Sequence, residues 1–380
     1  MNASRNVPVR VLVVTLTSDR PETESFIGLH RLGVAVHVMC TPSGTHVDRL
    51  KAAGVPMTPL EIAGRRDRNA ERQIRKELLR GAYNVLHLYH NKPVQNGLRA
   101  ARGLPVRIIA YRGIEGNVSF LDPVSWQRYL HPRVDRIVCV CNAIRDYFHA
   151  LRFLWLRFPA QKAVRIYKGH SLAWYTAKPA DRAALGLPPD AYAVCCVANW
   201  RPRKGIELLV RACAALPPDL PLHLLLVGNM DSASLKREIE ASPLRERIHV
   251  LGYRRDAPEI VAACDVAVLP SLRREGLPRS VIEAMAYGVA PIVTDSGGSP
   301  ELVRDSESGL VVRSGDAKHL AEALERLYAD PSLRQQLGAA ARERIAQHFR
   351  IEDTIAETHA LYRDLLGLPA APVRDVEALS

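Results

Sequence analysis

Two series of short apolar runs constrain the fold of this chain more than any other feature. The runs are rich in β-branched residues and are bounded by turn residues. The first series is 9–16, 34–40, 85–89, 106–111 and 137–141, and the second is 193–197, 223–227, 248–251, 266–269, 291–294 and 309–312. Helical patterns such as 69–80, 91–102, 205–215, 279–287 and 317–329 separate many of them. Each series therefore predicts a parallel sheet built from successive β–α–β units.

A chain of 380 residues is too long for one ordinary core and suits two α/β domains. The segment 177–190 contains three prolines and is the expected linker. We therefore predict a first domain at 1–177 and a second at 178–349. A helical pattern then continues to residue 366, and 367–380 are predicted to form a loose tail.

The composition indicates a globular protein, because 47% of the residues are hydrophobic and 24% are charged. The apolar run at 11–14 is too short for a signal peptide, and no stretch approaches the roughly 18 uncharged residues of a membrane span. We therefore expect a cytoplasmic protein. The seven cysteines lie mostly in apolar runs without a Cys-x-x-Cys pair, which favours buried free thiols in a reducing compartment.

Positive charge is concentrated in the first half of the chain. Residues 1–178 contain 28 Lys and Arg against 12 Asp and Glu, whereas the remainder contains 24 against 28. This asymmetry indicates an anionic partner such as nucleic acid, an anionic membrane surface or a phosphorylated acceptor. Arginines crowd 65–80, and 147–158 mixes aromatics with arginines. The second segment is either an amphipathic helix on the inner face of an anionic membrane or a domain helix packed into the core.

The loop after the predicted strand 266–269 contains Glu275, and the helix that follows contains Glu283. Ligands collect at the carboxyl ends of parallel strands, and a helix start favours phosphate. Two carboxylates beside a diphosphate make sense if they bind hydroxyls, Glu275 those of a sugar and Glu283 those of a ribose. Alternatively, Glu283 is a first-turn acid that stabilises the helix dipole, and Glu275 is a solvated loop charge.

Two further loops follow strands of the second series. The segment 198–205 contains Arg201, Arg203 and Lys204, whose charges could neutralise a leaving diphosphate. The alternative is a basic turn before a surface helix. The segment 294–301 contains paired glycines at 297 and 298, which permit close backbone approach.

These motifs together resemble the retaining glycosyltransferases of family 4, which have the GT-B architecture. The resemblance covers about 193–349 and is carried by Glu275-Gly276 through Glu283-Ala284-Met285-Ala286-x-Gly288, by Gly297-Gly298-x-Pro300-Glu301 and by Arg203-Lys204-Gly205. It implies an α/β fold in which two Rossmann-like domains face each other across a cleft. It also implies that helix 350–366 crosses back to the first domain.

The resemblance also implies roles for individual residues. Glu275 would hold the donor sugar at the reacting centre, and Lys204 with Arg203 would act on the diphosphate. The family usually has Gly-Arg where Ala198-Asn199 stand here, so either Arg201 or Arg203 completes the diphosphate clamp. The remaining residues implied in donor binding are Glu283, Gly276, Leu277, Gly298 and Tyr253.

The acceptor side is implied more weakly by the first domain. Relatives often have His-Gly where this chain has Arg112-Gly113, so His87, His90 or Arg112 would serve on the acceptor side. For His87 the alternative is a packed strand-end histidine. The first loop, which contains Ser18, should also line the cleft.

The implied reaction transfers a sugar from a nucleotide diphosphate sugar to a hydroxyl of a glycan, lipid-linked or phosphorylated acceptor, with retention. The pathway implied is bacterial lipopolysaccharide or surface polysaccharide synthesis. No Asp-x-Asp motif occurs, so we expect no metal and no other cofactor. A nucleotide-sugar epimerase and a catalytically silent scaffold of the same architecture are the alternatives. A nucleic-acid partner is not expected, because no interleaved aromatic and basic motif of the known modules occurs.

Overall fold

The computed structural model of the protein describes residues 8–370. They form two compact units, one ending at His170 and resuming at Phe349, the other running from Ser171 to His348. The first unit thus ends seven residues before the expected boundary at 177, and the second begins before the proline-containing segment. Most of the expected loose tail, residues 371–380, lies outside the described residues.

The first unit is built on a seven-stranded parallel sheet in the order β3-β2-β1-β4-β5-β6-β9. Its strands, with a separate two-stranded hairpin of β7 and β8, are β1 Arg10–Val14, β2 Ala35–Cys40, β3 Met57–Pro59, β4 Val85–Leu88, β5 Arg107–Arg112, β6 Arg136–Cys139, β7 Arg152–Phe153, β8 Leu156–Arg157 and β9 Ala163–Arg165. Its first six helices are α1 Arg20–Arg31, α2 Val47–Ala52, α3 Arg68–Gly81, α4 Asn91–Ala100, α5 Pro123–Trp126 and α6 Asn142–His149.

The second unit is built on a six-stranded parallel sheet in the order β12-β11-β10-β13-β14-β15. Its strands are β10 Tyr192–Val197, β11 Leu222–Val227, β12 Ile248–Gly252, β13 Val266–Leu269, β14 Ala290–Thr294 and β15 Leu310–Val312. Its helices are α7 Ile206–Ala214, α8 Ala233–Glu240, α9 Ala257–Ala262, α10 Arg279–Ala286, α11 Ser299–Leu302, α12 Ala317–Ala329 and α13 Pro331–His348. Separate apolar clusters cover the two faces of this sheet. The predicted α/β class with two Rossmann-like sheets is thereby confirmed.

Local sequence explains where several helices begin. Asp19 precedes α1 and accepts a hydrogen bond from the Glu22 amide at 3.2 Å, and Pro21 occupies the first turn. Asp67 caps α3 and Asp316 caps α12 in the same way. Each carboxylate satisfies amides that the first helical turn leaves unpaired.

The last helix, α14 Ile351–Leu365, belongs to the first unit, as expected for a helix that crosses back. It packs closely on α1 because Gly28 has no side chain, and a Cβ there would lie 2.2 Å from Ile355 Cδ1. The Tyr362 hydroxyl lies 2.8 Å from His87 Nδ1 on β4. Helix α14 therefore completes the core of the first unit.

Neither expectation for 147–158 as one helix is correct. Helix α6 ends at His149, and β7 pairs with β8 in an antiparallel hairpin whose tip is Leu154 and Trp155. Leu154 adopts φ 52°, which turns the chain and prevents a continuous helix. Only the flanking Phe148 and Phe158 are buried. Within residues 8–370, no helix is both long and apolar enough to cross a bilayer.

Candidate functional site

The strand order of the second sheet creates a topological switch point between β10 and β13. The chain proceeds outward in opposite directions from these two neighbours, so their following loops diverge and leave a crevice at the carboxyl edge. The loop after β10 contains Lys204, and the loop after β13 contains Glu275. The predicted donor residues thus lie where the topology opens a binding crevice.

Glu275 is the centre of a buried ionic cluster. Its Oε1 accepts hydrogen bonds from Lys204 Nζ at 2.6 Å and from Ser271 Oγ at 2.7 Å, and Arg203 Nη1 lies 3.4 Å away. The Glu275 residue is only 5% exposed. Among the described residues none donates to Oε2, so that oxygen can accept a ligand hydroxyl. The structure excludes a solvated loop charge at 275. The contacts of Arg203 and Lys204 with Glu275 favour a site role over a basic turn before a surface helix.

Glycines bring the three loops into contact. Gly205 has φ 66°, and a Cβ there would lie 2.2 Å from the Pro270 carbonyl oxygen. Gly297 has φ 56°, and a Cβ there would lie 2.1 Å from the carbonyl oxygen of Glu275. Because only glycine fits both contacts, the backbone itself fixes the position of Glu275.

Glu283 lies on α10, but not in the first turn. The helix begins at Arg279, so Glu283 is its fifth residue, and the first-turn interpretation of this acid is wrong. Glu283 is 8% exposed, and its Oε1 lies 3.2 Å from Arg279 Nε. A carboxylate held one turn into the helix can accept hydroxyl hydrogen bonds without occupying the helix start.

The loop before α10 is strained at one residue. Arg274 adopts φ 63°, a left-handed conformation that costs a non-glycine residue of order 1 kcal/mol or more. Gly276 after it is buried and Leu277 is half-buried. The Gly298 amide donates to the Glu275 carbonyl at 3.3 Å, so it holds the loop instead of standing free for a phosphate.

Two predicted donor residues stand apart from the cluster. Arg201 is exposed and donates to the Trp200 carbonyl at 2.8 Å, and Tyr253 after β12 is 76% exposed. Neither is joined to Glu275 among the contacts of the described residues. Arg203, which is half-buried and next to Glu275, is therefore better placed than Arg201 to complete a clamp.

Sequence reasoning missed three serines of this site. Ser271 is fully buried and donates to Glu275. Ser296 and Ser299 flank the paired glycines, and their buried hydroxyls have no hydrogen-bond partner within the described chain. Buried polar groups are rarely left unpaired, so these hydroxyls are candidates for ligand contacts. Their position beside Gly297-Gly298 was the available signal.

The first sheet has its own switch point, between β1 and β4. His90 follows β4 with φ 65°, a strained conformation, and its Nδ1 lies 3.3 Å from Thr15 Oγ1 after β1. Burial, and then the Lys168 ammonium, lower the pKa of His90. Ser18 is buried, with its hydroxyl 2.8 Å from that of Thr23. His90 is thus the best-placed of the predicted acceptor residues.

A buried ion cluster beside this switch point was also missed. Lys168 Nζ donates to Asp19 Oδ2 at 2.5 Å and to Glu22 Oε1 at 2.8 Å. Burial opposes its charge, but Glu22, Tyr111 and Asp19 together raise the pKa of Lys168 well above its usual value. The lysine therefore stays charged and ties α1 to the segment after β9.

Arg112 and His87 are both buried. Arg112 ends β5, donates to the Gly116 carbonyl and lies 4.8 Å above the Tyr129 ring, and its Nε has no partner among the described residues. His87 is 1% exposed and bonded to Tyr362, which is the packed strand-end histidine of the alternative interpretation. The structure therefore favours a packing role for His87 over acceptor binding.

Burial of His87 predicts acid-sensitive stability. Burial lowers the pKa of His87 to about 3, whereas an unfolded histidine titrates near 6.5. Below about pH 6.5, His87 binds a proton in the unfolded state but not in the folded state. The free energy of unfolding therefore falls as the pH is lowered. Between pH 7.5 and 5 the wild type should lose about 2 kcal/mol more unfolding free energy than His87→Gln. Urea unfolding of the wild type and of His87→Gln between pH 5 and 7.5 measures this difference. If the unfolding free energies of the two proteins change in parallel with pH, His87 is not the cause of the acid sensitivity.

Comparisons with known proteins identify the family. The family model described as glycosyl transferases group 1 matches residues 177–344, and the model described as glycosyltransferase family 4 matches residues 27–174. Together the two matches contain the whole switch-point edge of the second sheet and much of the first unit.

Two relatives are named for lipopolysaccharide core biosynthesis. The glycosyltransferase LpsE of Rhizobium meliloti is 33% identical over 45% of this chain and 50% of its own length. The mannosyltransferase LpcC of Rhizobium leguminosarum bv. viciae is 32% identical over 49% of this chain and 54% of its own length. The chain thus spans about half the length of these relatives in the matched regions.

A solved structure is similar over nearly the whole chain. The HepE protein of Anabaena, solved in complex with UDP, superposes with a TM-score of 0.74 at 20% identity. The match covers 94% of this chain and 100% of that one. At this identity the likeness shows the fold.

Proposed function

Because this chain belongs to the family 4, group 1 glycosyltransferases, we propose that it transfers a glycosyl group from a nucleotide diphosphate sugar to an acceptor hydroxyl, with retention of configuration. The single observation that carries the proposal is the cluster of Glu275, Lys204 and Arg203 at the switch point of the second sheet. The Glu275 carboxylate can accept hydrogen bonds from sugar hydroxyls, and Lys204 and Arg203 are cations suited to a diphosphate.

The proposed reaction requires cations that stabilise the leaving group. The bond between the anomeric carbon and the phosphate oxygen breaks, the acceptor oxygen bonds to the same face of that carbon, and the leaving phosphate oxygen takes the acceptor proton. Lys204 and Arg203 would neutralise the charge that develops on the diphosphate. Glu275 Oε2 would hold the sugar, and Glu283 the ribose. We propose that these cations serve in place of a metal ion.

The names of the relatives support a pathway. LpsE and LpcC are both named as lipopolysaccharide core glycosyltransferases, so we propose a glycan or lipid-linked acceptor in surface polysaccharide synthesis. Acceptor recognition would involve the carboxyl edge of the first sheet, with His90 and Arg112. A nucleotide-sugar epimerase would convert the donor without any acceptor, so donor incubated alone distinguishes the two activities.

The donor class can be tested with a panel of UDP-, GDP- and ADP-sugars. We expect one nucleotide series to raise the thermal unfolding midpoint, because ligands that bind only the folded state stabilise it. Glu275→Gln should remove the preference for the sugar conjugate over the bare nucleotide diphosphate. If no nucleotide sugar stabilises the wild type, the proposed function is wrong.

The exposed tip of the β7–β8 hairpin supports peripheral membrane binding. Leu154 is 71% exposed and Trp155 82%, between Arg152 and Arg157, which are paired across the hairpin. Tryptophan and leucine enter the bilayer interface, while arginines bind anionic headgroups. We therefore propose that this hairpin, and not a helix, binds the membrane.

Removing the apolar tip should release the protein from vesicles. Leu154→Ser with Trp155→Ser should weaken binding to vesicles containing phosphatidylglycerol by about a hundredfold or more, because each side chain contributes about 1.5–3 kcal/mol when buried. Leu79→Ser, at a 62% exposed position on α3, is the matched control and should bind as the wild type does. Equal flotation of the hairpin variant and the wild type at low salt would refute the proposal.

A further inference from the structure

An arginine-lined cavity opens on the helical layer of the first unit. Its volume is about 1000 Å³, and its walls come from the approach to α3, from α4 and from the segment 126–133. The charged and polar residues that line it include Arg65, Arg66, Arg99, Arg102, Arg133 and Gln95. Among the described residues, only one carboxylate, that of Glu71, lines the cavity. The cavity is therefore strongly positive, and it shares no lining residue with the switch-point edge described above.

Two of the arginines are held in place by the protein. Arg99 Nη1 donates to the Arg65 carbonyl at 2.8 Å and to Glu71 Oε1 at 3.2 Å. Arg133 Nη2 donates to the carbonyl oxygens of Leu104 at 3.0 Å and Val106 at 3.2 Å. Within residues 8–370 no carboxylate pairs with Arg133, which thus brings a fixed positive charge. A guanidinium held in this way loses little freedom when it binds an anion.

The other three arginines are left with their charges available. The side chains of Arg65, Arg66 and Arg102 form no ion pair with any residue in the 8–370 range. Helix α3 also presents Arg68 and Arg72, which are exposed but do not line the cavity. Uncompensated charge therefore lines one concave surface, and Arg68 and Arg72 add further charge on the neighbouring helix.

Gln95 is the second, independent sign of a ligand site. The residue is only 2% exposed and lines the cavity, yet within the described chain its side-chain amide makes no hydrogen bond. A nearly buried amide without a partner in the protein is open to a polar group that enters the cavity. An amide can donate to a phosphate oxygen and accept from a sugar hydroxyl.

Trp126 supplies an apolar wall. Its indole nitrogen already donates to the Phe120 carbonyl at 2.8 Å, while the residue stays 40% exposed. The ring therefore offers carbon surface rather than a polar group, which suits the apolar face of a sugar ring. The volume is far larger than one phosphate ion needs and lies at the upper end of small-molecule sites.

We propose that this cavity binds a phosphorylated sugar, with the phosphate on the arginines and the sugar ring against Trp126 and Gln95. That the ligand is a phosphorylated part of the acceptor glycan rests on the proposed function. Binding itself does not, because the cavity and the donor cluster share no residue and belong to different units. A phospholipid headgroup carries the same phosphate chemistry, and the experiment separates the two sources.

The test is titration calorimetry of the full chain with four probes: glucose 6-phosphate, glucose, inorganic phosphate and a short-chain phosphatidylglycerol below its micelle concentration. We expect glucose 6-phosphate to bind more tightly than the other three. Arg65→Ser with Arg102→Ser should weaken its binding by about tenfold or more, since each arginine contributes a charge-assisted hydrogen bond. Gln95→Leu should weaken it several-fold without any change of charge.

Arg68→Ser with Arg72→Ser is the matched control, because it removes two charges from the neighbouring helix α3 and should leave the affinity for glucose 6-phosphate unchanged. Binding of the nucleotide diphosphate should persist in every variant, which separates failure of this inference from failure of the proposed function. If the control loses as much affinity for glucose 6-phosphate as Arg65→Ser with Arg102→Ser does, the effect comes from net charge alone, and the proposed binding site is wrong. Tighter binding of phosphatidylglycerol, or equal binding of inorganic phosphate, would overturn the assignment to a sugar.

Discussion

Lys204→Ala is expected to lower kcat by about 10²–10³-fold, the usual cost of removing one group that stabilises developing charge. Its ammonium lies 2.6 Å from Glu275 Oε1, the shortest contact of the buried cluster, and it follows β10 at the switch point. A diphosphate bound in the crevice would approach this cation from the open side. The loss should appear in kcat more than in KM, because the charge on the leaving group peaks in the transition state.

Two comparisons make the Lys204 result specific. Lys236→Ala removes an equal charge from an exposed ion pair with Asp231 on the same unit and should retain wild-type turnover. Arg203→Ala should cost less than Lys204→Ala, since Arg203 lies 3.4 Å from Glu275 Oε1. Steady-state kinetics with the preferred donor measure all three. If the turnover of Lys204→Ala stays within a few-fold of the wild type, Lys204 does not stabilise the leaving group.

Gly297→Ala is expected to impair both stability and turnover. Its φ of 56° is strained for alanine, and the new Cβ would lie 2.1 Å from the Glu275 carbonyl oxygen, so the backbone of the donor loop must shift. We expect a loss of about 2 kcal/mol or more in unfolding free energy. Turnover should fall by about 10²-fold, because a displacement near 1 Å is enough to misplace a catalytic group.

Gly315→Ala is the control for Gly297→Ala, because it places alanine in a left-handed conformation without a contact to the donor loop. Gly315 has a similar conformation, φ 83°, but no heavy atom lies within 4 Å of the position that a Cβ would take there. The variant should show only the modest stability loss of a left-handed alanine and keep normal turnover. Unfolding and kinetics of the two variants should therefore diverge. If both lose the same stability and neither loses activity, the glycine does not position Glu275.

Most strands of the two sheets could be predicted from the sequence because each is a short apolar run between turn residues, but β3 and β9, with three residues each, were missed. The pattern at 266–269 predicts its strand to the residue, and the pattern at 193–197 begins one residue late. The hairpin after α6 could not be predicted in this way, since 147–158 has an apolar content that fits a helix. The chain turns at Leu154, which adopts the left-handed region, a conformation that composition does not reveal.

The sequence predicted which residues form the donor cluster but not the contacts between them. Glu275 and Lys204 stand 71 residues apart, and only the sheet order brings their loops together. Ser271 was overlooked because a serine after a strand has no pattern of its own. For His87 the sequence left a site residue and a packed strand-end histidine as alternatives, and the hydrogen bond to Tyr362, 275 residues away, favours packing.

Titration of the preferred nucleotide diphosphate sugar into the wild type, Glu275→Ala and Glu283→Ala, followed by turnover of the same three proteins, tests the donor site most directly. We expect Glu283→Ala to weaken donor binding by about tenfold, the value of one or two lost hydrogen bonds to a charged group. Glu275→Ala should also lose most of its turnover. Donor affinity and turnover that remain at wild-type values in both variants would contradict a donor site at the β10–β13 switch point.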